Sequence, residues 1–323
     1  MKILFADKFP LSYVEKLEHM GHNCSIDPNL KAQDLPAAIG DAEILVVRST
    51  KVTADTLKAA TGLKMVIRAG AGTNTIDKET AAEAGIFVCN VPGRNAIAVA
   101  ELAIGLLIAI DRNIPDNVDQ IRQGTWDKKR FSEAKGLFGR SIGVVGLGAI
   151  GMTVAERAHA FGMKLHILRK PERAPELSNR LTELGAVEMD DIYDLAKACD
   201  ILSFHTPASE NTKRLLGADL LAVMKPRAIL INTSRGDLID EQALIDAMDE
   251  KGIRAGLDVY MDEPAEAQCN FDSALACHPN VYGTHHIGAS TEQAQTAVAE
   301  GVVDIVEALV QGNIMHCVNM KTR

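Results

Sequence analysis

The stretch "SIGVVGLGAIGMTVAERAHAFGMKLHILR", residues 141–169, carries the clearest fold signal of the sequence. It begins with an apolar run, passes through Gly146, Gly148 and Gly151, continues with apolar residues at helical spacing, and ends in a second apolar run. The order strand, glycine turn, helix, strand is that of a βαβ unit, in which the two strands lie parallel. The sequence therefore predicts a parallel sheet that begins at Ser141.

The three glycines have the spacing G-x-G-x-x-G, which in this context is the dinucleotide-binding fingerprint. Gly146 permits the tight turn, Gly148 lets the backbone approach a pyrophosphate, and Gly151 lets the helix pack closely. The pyrophosphate would then lie at the helix N-terminus, where free N–H groups favour an anion. A glycine-rich turn without a ligand is the alternative, and the complete strand–helix–strand context disfavours it.

The second strand of this unit ends in Leu168-Arg169-Lys170, where an NAD-binding fold usually carries an acidic residue for the ribose. An arginine at this point suits the 2′-phosphate of NADP. NAD stays open as the cofactor, because Arg169 and Lys170 could be a solvated strand end and Glu172 could reach a ribose. NADP is modestly favoured.

The rest of the chain repeats the alternation of short apolar runs with segments of helical length. Such runs occur four times before residue 94, as "KILFAD", "AEILVVRS", "LKMVIRAGAG" and "GIFVCNVPG". Next come a long apolar helix within residues 95–113 and a polar, loosely patterned excursion over 114–140. A second series of alternating apolar runs begins at Ser141, and a final helix covers 291–310. This pattern predicts an α/β protein with two doubly wound parallel-sheet domains.

Composition limits the classes of partner. The net charge of −9 argues against nucleic acid or an anionic membrane surface, and no apolar run is long enough to span a bilayer. The six cysteines are scattered without a C-x-x-C pair, which indicates reduced thiols, a cytoplasmic location and no metal site.

Three later strands of the second series are each followed by ionisable residues, namely Arg235, then Asp258 and Glu263, then the pair His285-His286. The carboxyl ends of parallel strands meet at one edge of a sheet, so we expect these groups to converge. A histidine can donate a proton to a carbonyl oxygen near neutral pH, a carboxylate can hold its ring, and an arginine fork can bind a 2-keto carboxylate.

The motifs "VVGLGAIG", "HTPASENTKRLL", "INTSRGDLIDEQAL", "GLDVYMDEP" and "HHIGASTEQAQ" follow one another in an order and spacing that is highly specific. Together they resemble the D-isomer-specific 2-hydroxyacid dehydrogenases, and within that family most the D-3-phosphoglycerate dehydrogenases. The resemblance covers nearly the whole chain. It implies Arg235, Glu263 and His286 as catalytic residues, the histidine because Ile-Gly follows it. His285 stands where the family commonly has proline.

The same resemblance implies the binding residues. Asp258 should meet the nicotinamide amide, and Ala71 and Gly72 should bind the substrate carboxylate through backbone N–H groups. Arg48 is the candidate for a substrate phosphate, with a surface arginine at a strand end as the alternative. The complete set of expected cofactor contacts is Gly146, Gly148, Ala149, Ile150, Gly151, Arg169, Lys170, His205, Thr206, Pro207, Thr212, Thr233, Ser234, Asp258, Gly288 and Ala289.

The resemblance also implies the architecture. A flavodoxin-like substrate domain would comprise residues 1–98 plus 289–323, with a Rossmann cofactor domain, 99–288, inserted into it. The family is usually dimeric through the cofactor domain, so we expect a homodimer in which residues 114–140 reach across. The chain ends at Arg323, so the regulatory serine-binding domain of some relatives is not expected.

Three functions stay open. The first is hydride transfer between the cofactor and an anionic D-2-hydroxy acid, with 3-phosphoglycerate and 3-phosphohydroxypyruvate as the pair, as in serine biosynthesis. The second is NADPH-dependent reduction of glyoxylate, hydroxypyruvate or another 2-keto acid. The third is an NAD(H)-sensing binding protein without turnover, as corepressor relatives suggest, which the complete set Arg235, Glu263 and His286 disfavours.

Overall fold

A computed structural model describes residues 1–264 and 268–320 of the chain. These residues form two units: Met1–Asn95 together with the described residues from Ser290 onward, and Ala96–Ala289. We call them the first and the second unit. The assignment of substrate to residues 1–98 plus 289–323 and of cofactor to residues 99–288 stays a prediction.

The first unit is built on a five-stranded parallel sheet with the strand order β2-β1-β3-β4-β5. This is the flavodoxin-like order that the resemblance implied. All four residues of β3 are buried, as expected for a strand that helices cover on both faces. The strands are β1 (Lys2–Phe5), β2 (Asn23–Ile26), β3 (Ile44–Val47), β4 (Met65–Arg68) and β5 (Phe87–Asn90), and the helices between them are α1 (Leu11–His19), α2 (Leu35–Ala38), α3 (Ala54–Ala59) and α4 (Lys78–Glu83).

The second unit contains a seven-stranded parallel sheet with the order β12-β11-β10-β9-β6-β7-β8. The chain starts in the middle and winds outward in both directions, which is the Rossmann arrangement. The strands are β6 (Ser141–Val145), β7 (Lys164–Leu168), β8 (Val187–Met189), β9 (Ile201–Phe204), β10 (Ile229–Asn232), β11 (Arg254–Leu257) and β12 (Val281–Gly283), and the helices are α5 (Ala96–Arg112), α6 (Ile114–Arg122), α7 (Ala149–Ala160), α8 (Pro175–Glu183), α9 (Ile192–Ala198), α10 (Ala218–Val223) and α11 (Glu241–Lys251). The predicted α/β class with two parallel sheets is thus confirmed.

The last helix, α12 (Glu292–Val310), returns to the first unit. It begins where the sequence predicted, because the Thr291 hydroxyl accepts a hydrogen bond from Ala294 N at 3.1 Å and caps the first turn. The inner face of α12 packs on the core of the first sheet through Val302, Val303 and Val306. The predicted long buried helix is α5, ten of whose seventeen residues are buried.

The predicted polar excursion differs from the structure in one respect, because its first part is the helix α6. Pro115 lies at the start of this helix, a position where its missing N–H is no loss. No residue of α6 is buried in this chain. In the described residues, no helix is both long enough and apolar enough to cross a membrane.

Candidate active site

The glycine turn between β6 and α7 has the backbone geometry that the fingerprint requires. Gly146 adopts φ +92°, and a Cβ there would lie 2.6 Å from the carbonyl oxygen of His205. Gly151 is buried against the same turn, since its Cβ would lie 1.8 Å from Gly146 O. Neither position accepts a side chain without moving backbone, so both glycines are needed to bring β6, α7 and β9 together.

Gly148 is different, because a Cβ there would meet nothing within 4 Å. It is exposed and precedes α7 without offering a capping side chain. The first hydrogen bond of the helix runs from Met152 N to Gly148 O at 3.0 Å, so the N–H groups of Ala149, Ile150 and Gly151 precede the helical ladder. This open N-terminus suits a pyrophosphate.

Two buried polar atoms just after strands β9 and β10 lack a hydrogen-bond partner among the described residues. One is Nδ1 of His205, whose Nε2 is hydrogen-bonded to Ser203 Oγ at 2.7 Å. Burial lowers the pKa of His205 to about 4, so the ring is neutral at pH 7. The other is the Thr233 hydroxyl. Both residues were predicted to contact the cofactor. Buried polar atoms usually have a hydrogen-bond partner, and a bound cofactor could supply one to each of these two atoms.

The loop after β9 is held by its own side chains. The Thr212 hydroxyl donates to Pro207 O at 2.8 Å and accepts from Ser209 N at 2.8 Å. Thr212 was predicted to contact cofactor, and the structure gives it a second task in shaping the loop that begins with Thr206 and Pro207.

Arg235 is positioned by a residue that the sequence analysis missed. Asn232, the fully buried last residue of β10, donates through Nδ2 to Arg235 O at 2.8 Å and accepts from Ser234 N and Oγ at 3.0 and 2.7 Å. Arg235 is half-buried, and its Nη1 donates to Ser234 O at 2.6 Å. The signal in the sequence was an asparagine that ends the apolar run "AILIN".

Gly236 brings the arginine close to the segment that carries Glu263. A Cβ at Gly236 would lie 2.0 Å from the carbonyl carbon of Tyr260, so the two backbones are in direct contact. Glu241 fixes the same segment by accepting from Met261 N at 3.2 Å. The polar side chains that follow β10 and β11 are thereby held together.

Glu263 and His286 form the central pair of the site. Glu263 Oε2 and His286 Nδ1 are 2.6 Å apart, and Glu263 Oε1 accepts from Tyr260 N at 2.9 Å. Burial alone would raise the pKa of Glu263, but the hydrogen bonds from His286 and Tyr260 N and the charge of Arg235 together hold it below its ordinary value. The carboxylate is therefore ionised at neutral pH and can orient the imidazole. The His286 side chain is 52% exposed and accessible to a ligand.

Asp258 builds the loop on which His286 lies. Its carboxylate is 1% exposed and accepts from the Thr284 hydroxyl at 2.6 Å, from Ile287 N at 2.8 Å and from Gly288 N at 2.8 Å. His286 adopts φ +51°, a left-handed conformation that a non-glycine residue keeps only when its surroundings impose it. Gly288 is buried against the same carboxylate, and a Cβ there would lie 3.0 Å from Asp258 Oδ2.

His285 and His286 differ in their surroundings, although both are exposed. The carboxylate of Glu263 contacts only the second histidine, which is the one that the sequence analysis selected. Ala289, the last residue of the second unit, follows Gly288 and is half-buried.

Arg169, which follows β7, does not stand alone. Its guanidinium lies 3.4 Å from Glu188 Oε2 and 2.5 Å from Asp190 Oδ1, and its side chain is 57% exposed. Lys170 is exposed. Glu188 lies on the neighbouring strand β8 and Asp190 directly follows that strand. Both ion pairs depend on the pairing of β7 with β8, so they could not be predicted from the sequence near Arg169.

Arg173 is a second arginine at the same strand end, and the sequence analysis missed it. Its side chain is only 6% exposed, and Nη2 donates to Leu168 O at 2.8 Å. Glu172, the alternative ribose partner, is exposed and adopts φ +59°. The end of β7 therefore presents two arginines in different environments.

The predicted substrate residues lie on two loops of the first unit. Asp7 shapes the loop of Arg48, since its Oδ2 accepts from the backbone N of Arg48, Ser49 and Thr50 at 2.6, 3.1 and 3.1 Å. Arg48 is half-buried. Asp7 follows β1 and was missed, because only the parallel pairing of β1 and β3 makes the two strand ends neighbours.

The loop of Ala71 and Gly72 is held from β5. Asn90 Nδ2 donates to Ala71 O at 2.6 Å, and Val91 N donates to Gly70 O at 2.9 Å. Within the described part of the chain, the backbone N–H groups of Ala71 and Gly72 donate to no protein atom. They are thus available to an anion, and their binding of a substrate carboxylate stays a prediction.

Comparisons with known proteins agree with this arrangement. The chain is 41% identical over 323 residues to D-3-phosphoglycerate dehydrogenase of Methanocaldococcus jannaschii, covering 99% of this chain and 60% of the relative. It therefore spans about 60% of the length of that relative. It is also 41% identical over 283 residues to hydroxypyruvate reductase of Thermotoga maritima, covering 87% of this chain and 88% of the relative.

A similar solved structure is the NADPH-dependent glyoxylate/hydroxypyruvate reductase of Sinorhizobium meliloti in complex with NADP and malonate. Its TM-score is 0.83 at 30% identity, covering 100% of this chain and 98% of the other. Residues 104–288 match the NAD binding domain of the D-isomer specific 2-hydroxyacid dehydrogenases. The glycine turn, the Glu263–His286 pair and these matches agree: the chain belongs to the D-isomer-specific 2-hydroxyacid dehydrogenase family.

Proposed function

We propose that the protein is an NAD(P)-dependent oxidoreductase that interconverts a small anionic D-2-hydroxy acid and its 2-keto acid. The observation that carries this proposal is the 2.6 Å contact between Glu263 and His286, with the charge of Arg235 acting on the same carboxylate. These groups follow β10, β11 and β12 in a unit that matches an NAD binding domain. The arrangement supplies an acid, a group that orients it and a cation for the substrate carboxylate.

Each residue has a defined task in this reaction. The bound nicotinamide cofactor supplies or accepts the hydride. Glu263 holds Nδ1 of His286, which leaves Nε2 to give a proton to the ketone oxygen during reduction and to take it back during oxidation. Arg235 binds the substrate carboxylate through two parallel N–H groups, which orients the keto carbon.

A panel of 2-keto acids tests the proposal. Purified protein with NADH or NADPH should consume the cofactor in the presence of hydroxypyruvate, 3-phosphohydroxypyruvate or glyoxylate, and at least one combination should turn over steadily. Cofactor binding without consumption across the panel would instead favour the NAD(H)-sensing binding protein. Isothermal calorimetry with the cofactor alone separates that outcome from a protein that binds neither ligand.

For the substrate, we propose 3-phosphoglycerate and 3-phosphohydroxypyruvate, which would place the enzyme in serine biosynthesis in the cytoplasm. Support comes from the phosphoglycerate dehydrogenase relative and from the loop of Arg48, which Asp7 holds in place. Hydroxypyruvate or glyoxylate is the second candidate, because a hydroxypyruvate reductase is equally identical over its aligned residues.

Replacing Arg48 by alanine distinguishes the two substrates. We expect kcat/KM for 3-phosphohydroxypyruvate to fall about 10–100-fold, since a charge-assisted hydrogen bond to a phosphate contributes roughly 1.5–3 kcal/mol. The value for hydroxypyruvate should change little. Lys51→Ala, on the same loop, is the matched control. Equal losses on both substrates would reject a phosphate-binding role.

For the cofactor, we propose a modest preference for NADP(H). It is supported by the absence of an acidic residue directly after β7, where a carboxylate would repel a 2′-phosphate, and by Arg169. The preference is modest because Glu188 and Asp190 already neutralise part of the charge of Arg169, and because this side chain is largely exposed.

Arg169→Asp should reverse the cofactor preference. We expect the ratio of kcat/KM for NADPH to that for NADH to fall at least tenfold, because the change removes a cation and adds a repelling carboxylate. Glu188→Gln, which frees Arg169 from one partner, should move the same ratio in the opposite direction. A strong preference of the wild type for NADH, or an unchanged ratio in the aspartate variant, would contradict the assignment.

Asp258 is proposed to position His286 in addition to its predicted contact with the nicotinamide amide. In Asp258→Asn, the amide group cannot accept from both Ile287 N and Gly288 N, and an unsatisfied buried donor costs about 1–3 kcal/mol. We expect kcat to fall at least tenfold and amide hydrogen exchange over residues 284–288 to accelerate. A role confined to the cofactor would raise only its KM and leave the exchange unchanged.

We also propose a homodimer through residues 114–140. The apolar side chains of Ile114, Val118 and Ile121 recur every three or four residues on α6 and are 43%, 40% and 55% exposed. Trp126 and Phe138, farther along the segment, are 81% and 87% exposed. Large apolar side chains at such exposure are typical of an interface. Sedimentation equilibrium should give twice the chain mass, and a monomer would contradict the proposal.

A further inference from the structure

The described end of the chain forms a short antiparallel pairing with the outer edge of β5. Asn90 N donates to His316 O at 3.2 Å, and Val318 N donates to Val88 O at 2.8 Å. β5 is the last strand of the first sheet, so this edge would otherwise present unpaired backbone groups.

The side chain of Asn319 also binds the chain end, residues 316–319, to β5 and the residue before it. Its Oδ1 accepts from Val88 N at 2.8 Å, and its Nδ2 donates to Ile86 O at 2.8 Å. The segment is therefore held on both sides of residue 317, and its position relative to β5 is fixed.

This pairing places two cysteines directly opposite each other. Cys89 on β5 and Cys317 form an antiparallel bridge, and the backbone hydrogen bonds lie on either side of the pair. At such a position the Cα atoms are about 4.5 Å apart and both side chains project from the same face. The Cys317 thiol donates to Asn319 Oδ1 at 3.3 Å, and both cysteines pack on the same core. A disulfide spans Cα separations of about 4.4–6.8 Å, so no backbone movement is needed.

Other cysteines do not compete with the pairing of Cys89 and Cys317. Cys24 lies on β2, at the opposite edge of the same sheet, roughly 19 Å away across four strand spacings. Cys269 and Cys277 are exposed and can react with solutes. Among the cysteines of the first unit, the geometry selects one pair.

We propose that Cys89 and Cys317 are a site of reversible oxidation that forms a disulfide across the edge of the first sheet. The oxidant is a small-molecule disulfide such as oxidised glutathione. The Cys317 thiolate attacks one sulfur of the oxidant and releases one glutathione thiolate. The Cys89 thiolate then attacks Cys317 Sγ in the mixed disulfide and releases the second. Two thiols become one disulfide, two protons are lost, and the oxidant's disulfide becomes two thiols.

The two cysteines have unequal roles in this exchange. Cys317 is half-buried and meets the oxidant first, whereas Cys89 is fully buried. Burial and the neighbouring Cys317 thiol raise the pKa of Cys89 to about 12, so its thiolate is scarce at neutral pH. The second step is therefore the slow one, and the directly opposed positions of the two cysteines compensate for the low reactivity.

The disulfide would fix residues 316–319 on β5 and close a loop that contains the whole second unit. A cross-link over a long loop restricts the unfolded chain most strongly. We expect the thermal midpoint of the first unit to rise by about 5–10 °C on oxidation.

The test uses the full chain in buffers of reduced and oxidised glutathione at defined ratios, quenched by alkylation and digested without reduction. We expect a cross-linked peptide that joins Cys89 to Cys317, reversible on adding reduced glutathione, together with the rise in thermal midpoint. Cys317→Ser should abolish both, and Cys24→Ser, a change of another half-buried cysteine in the same unit, should retain both. Glutathione adducts without the cross-linked peptide, or an unchanged thermal midpoint in the cross-linked protein, would overturn the proposal.

Discussion

Replacing His286 by alanine should lower kcat by about 10²–10⁴-fold and leave the dissociation constant of the cofactor nearly unchanged. Loss of a positioned general acid or base has an effect of this size, because the proton must then come from water. His286 is the imidazole that Glu263 holds at 2.6 Å, and its accessible ring leaves Nε2 free for a ligand. Steady-state kinetics with the best keto acid of the panel gives kcat, and fluorescence titration gives the cofactor affinity.

The backbone at His286 requires a second variant, because an alanine at φ +51° is strained. His286→Asn avoids this difficulty, since asparagine adopts the left-handed conformation readily and cannot transfer the proton. Both variants should be impaired to a similar degree. His285→Ala is the matched control and should reduce kcat only slightly. A larger loss of kcat in His285→Ala than in either His286 variant would contradict the assignment of His286 as the acid/base.

Arg235→Lys should lower kcat/KM for every 2-keto acid by about 10–100-fold, although the charge is kept. Lysine lacks the planar fork that binds both oxygens of a carboxylate, and a charge-assisted hydrogen bond contributes roughly 1.5–3 kcal/mol. Asn232 holds the Ser234–Arg235 turn through the backbone, so the substitution leaves the turn intact.

The effect of Arg235→Lys is measured as kcat/KM for hydroxypyruvate and its phosphate, beside the affinity for the cofactor. Arg180→Lys, which changes an exposed arginine paired with Glu156 and Glu183, is the control and should behave as wild type. Near-normal turnover in Arg235→Lys would mean that Arg235 only packs in the turn or contacts the cofactor.

The parts of the site that follow from local backbone sterics could be predicted from the sequence. Gly146 and Gly151 have no room for a Cβ, so their spacing within one βαβ unit identified the turn without further information. The ionisable residues after β10, β11 and β12 were predicted to meet for a similar reason, since parallel strands place their carboxyl ends at one edge.

The contacts that the sequence could not predict join residues that lie far apart in the chain. Asp258 accepts from Ile287 N and Gly288 N only because β11 and β12 are neighbours in one register. Arg169 was predicted to bind a 2′-phosphate or to be a solvated strand end, and its ion pairs with Glu188 on β8 and with Asp190 directly after β8 were not predicted. In each case the partner depends on the order of strands, which single residues do not specify.

The helix α6 was missed for a different physical reason. Ile114, Val118 and Ile121 have helical spacing, but three apolar residues in a nine-residue helix that is otherwise mostly polar give only a short pattern. They were therefore interpreted as scattered side chains in a polar segment, and their exposure in the folded chain was not predicted.

Deuterium transfer from labelled reduced cofactor to a 2-keto acid is the sharpest test of the proposed hydride transfer. The wild-type protein is incubated with 3-phosphohydroxypyruvate or hydroxypyruvate and cofactor that carries deuterium on the transferred position of the nicotinamide. The product is then analysed by mass spectrometry and chiral chromatography. The proposed hydride transfer should give one deuterium at C2 of a D-2-hydroxy acid, formed at a rate that His286→Asn lowers by about 10²–10⁴-fold. Product of the L configuration, or oxidation of the cofactor without deuterium at C2, would contradict it.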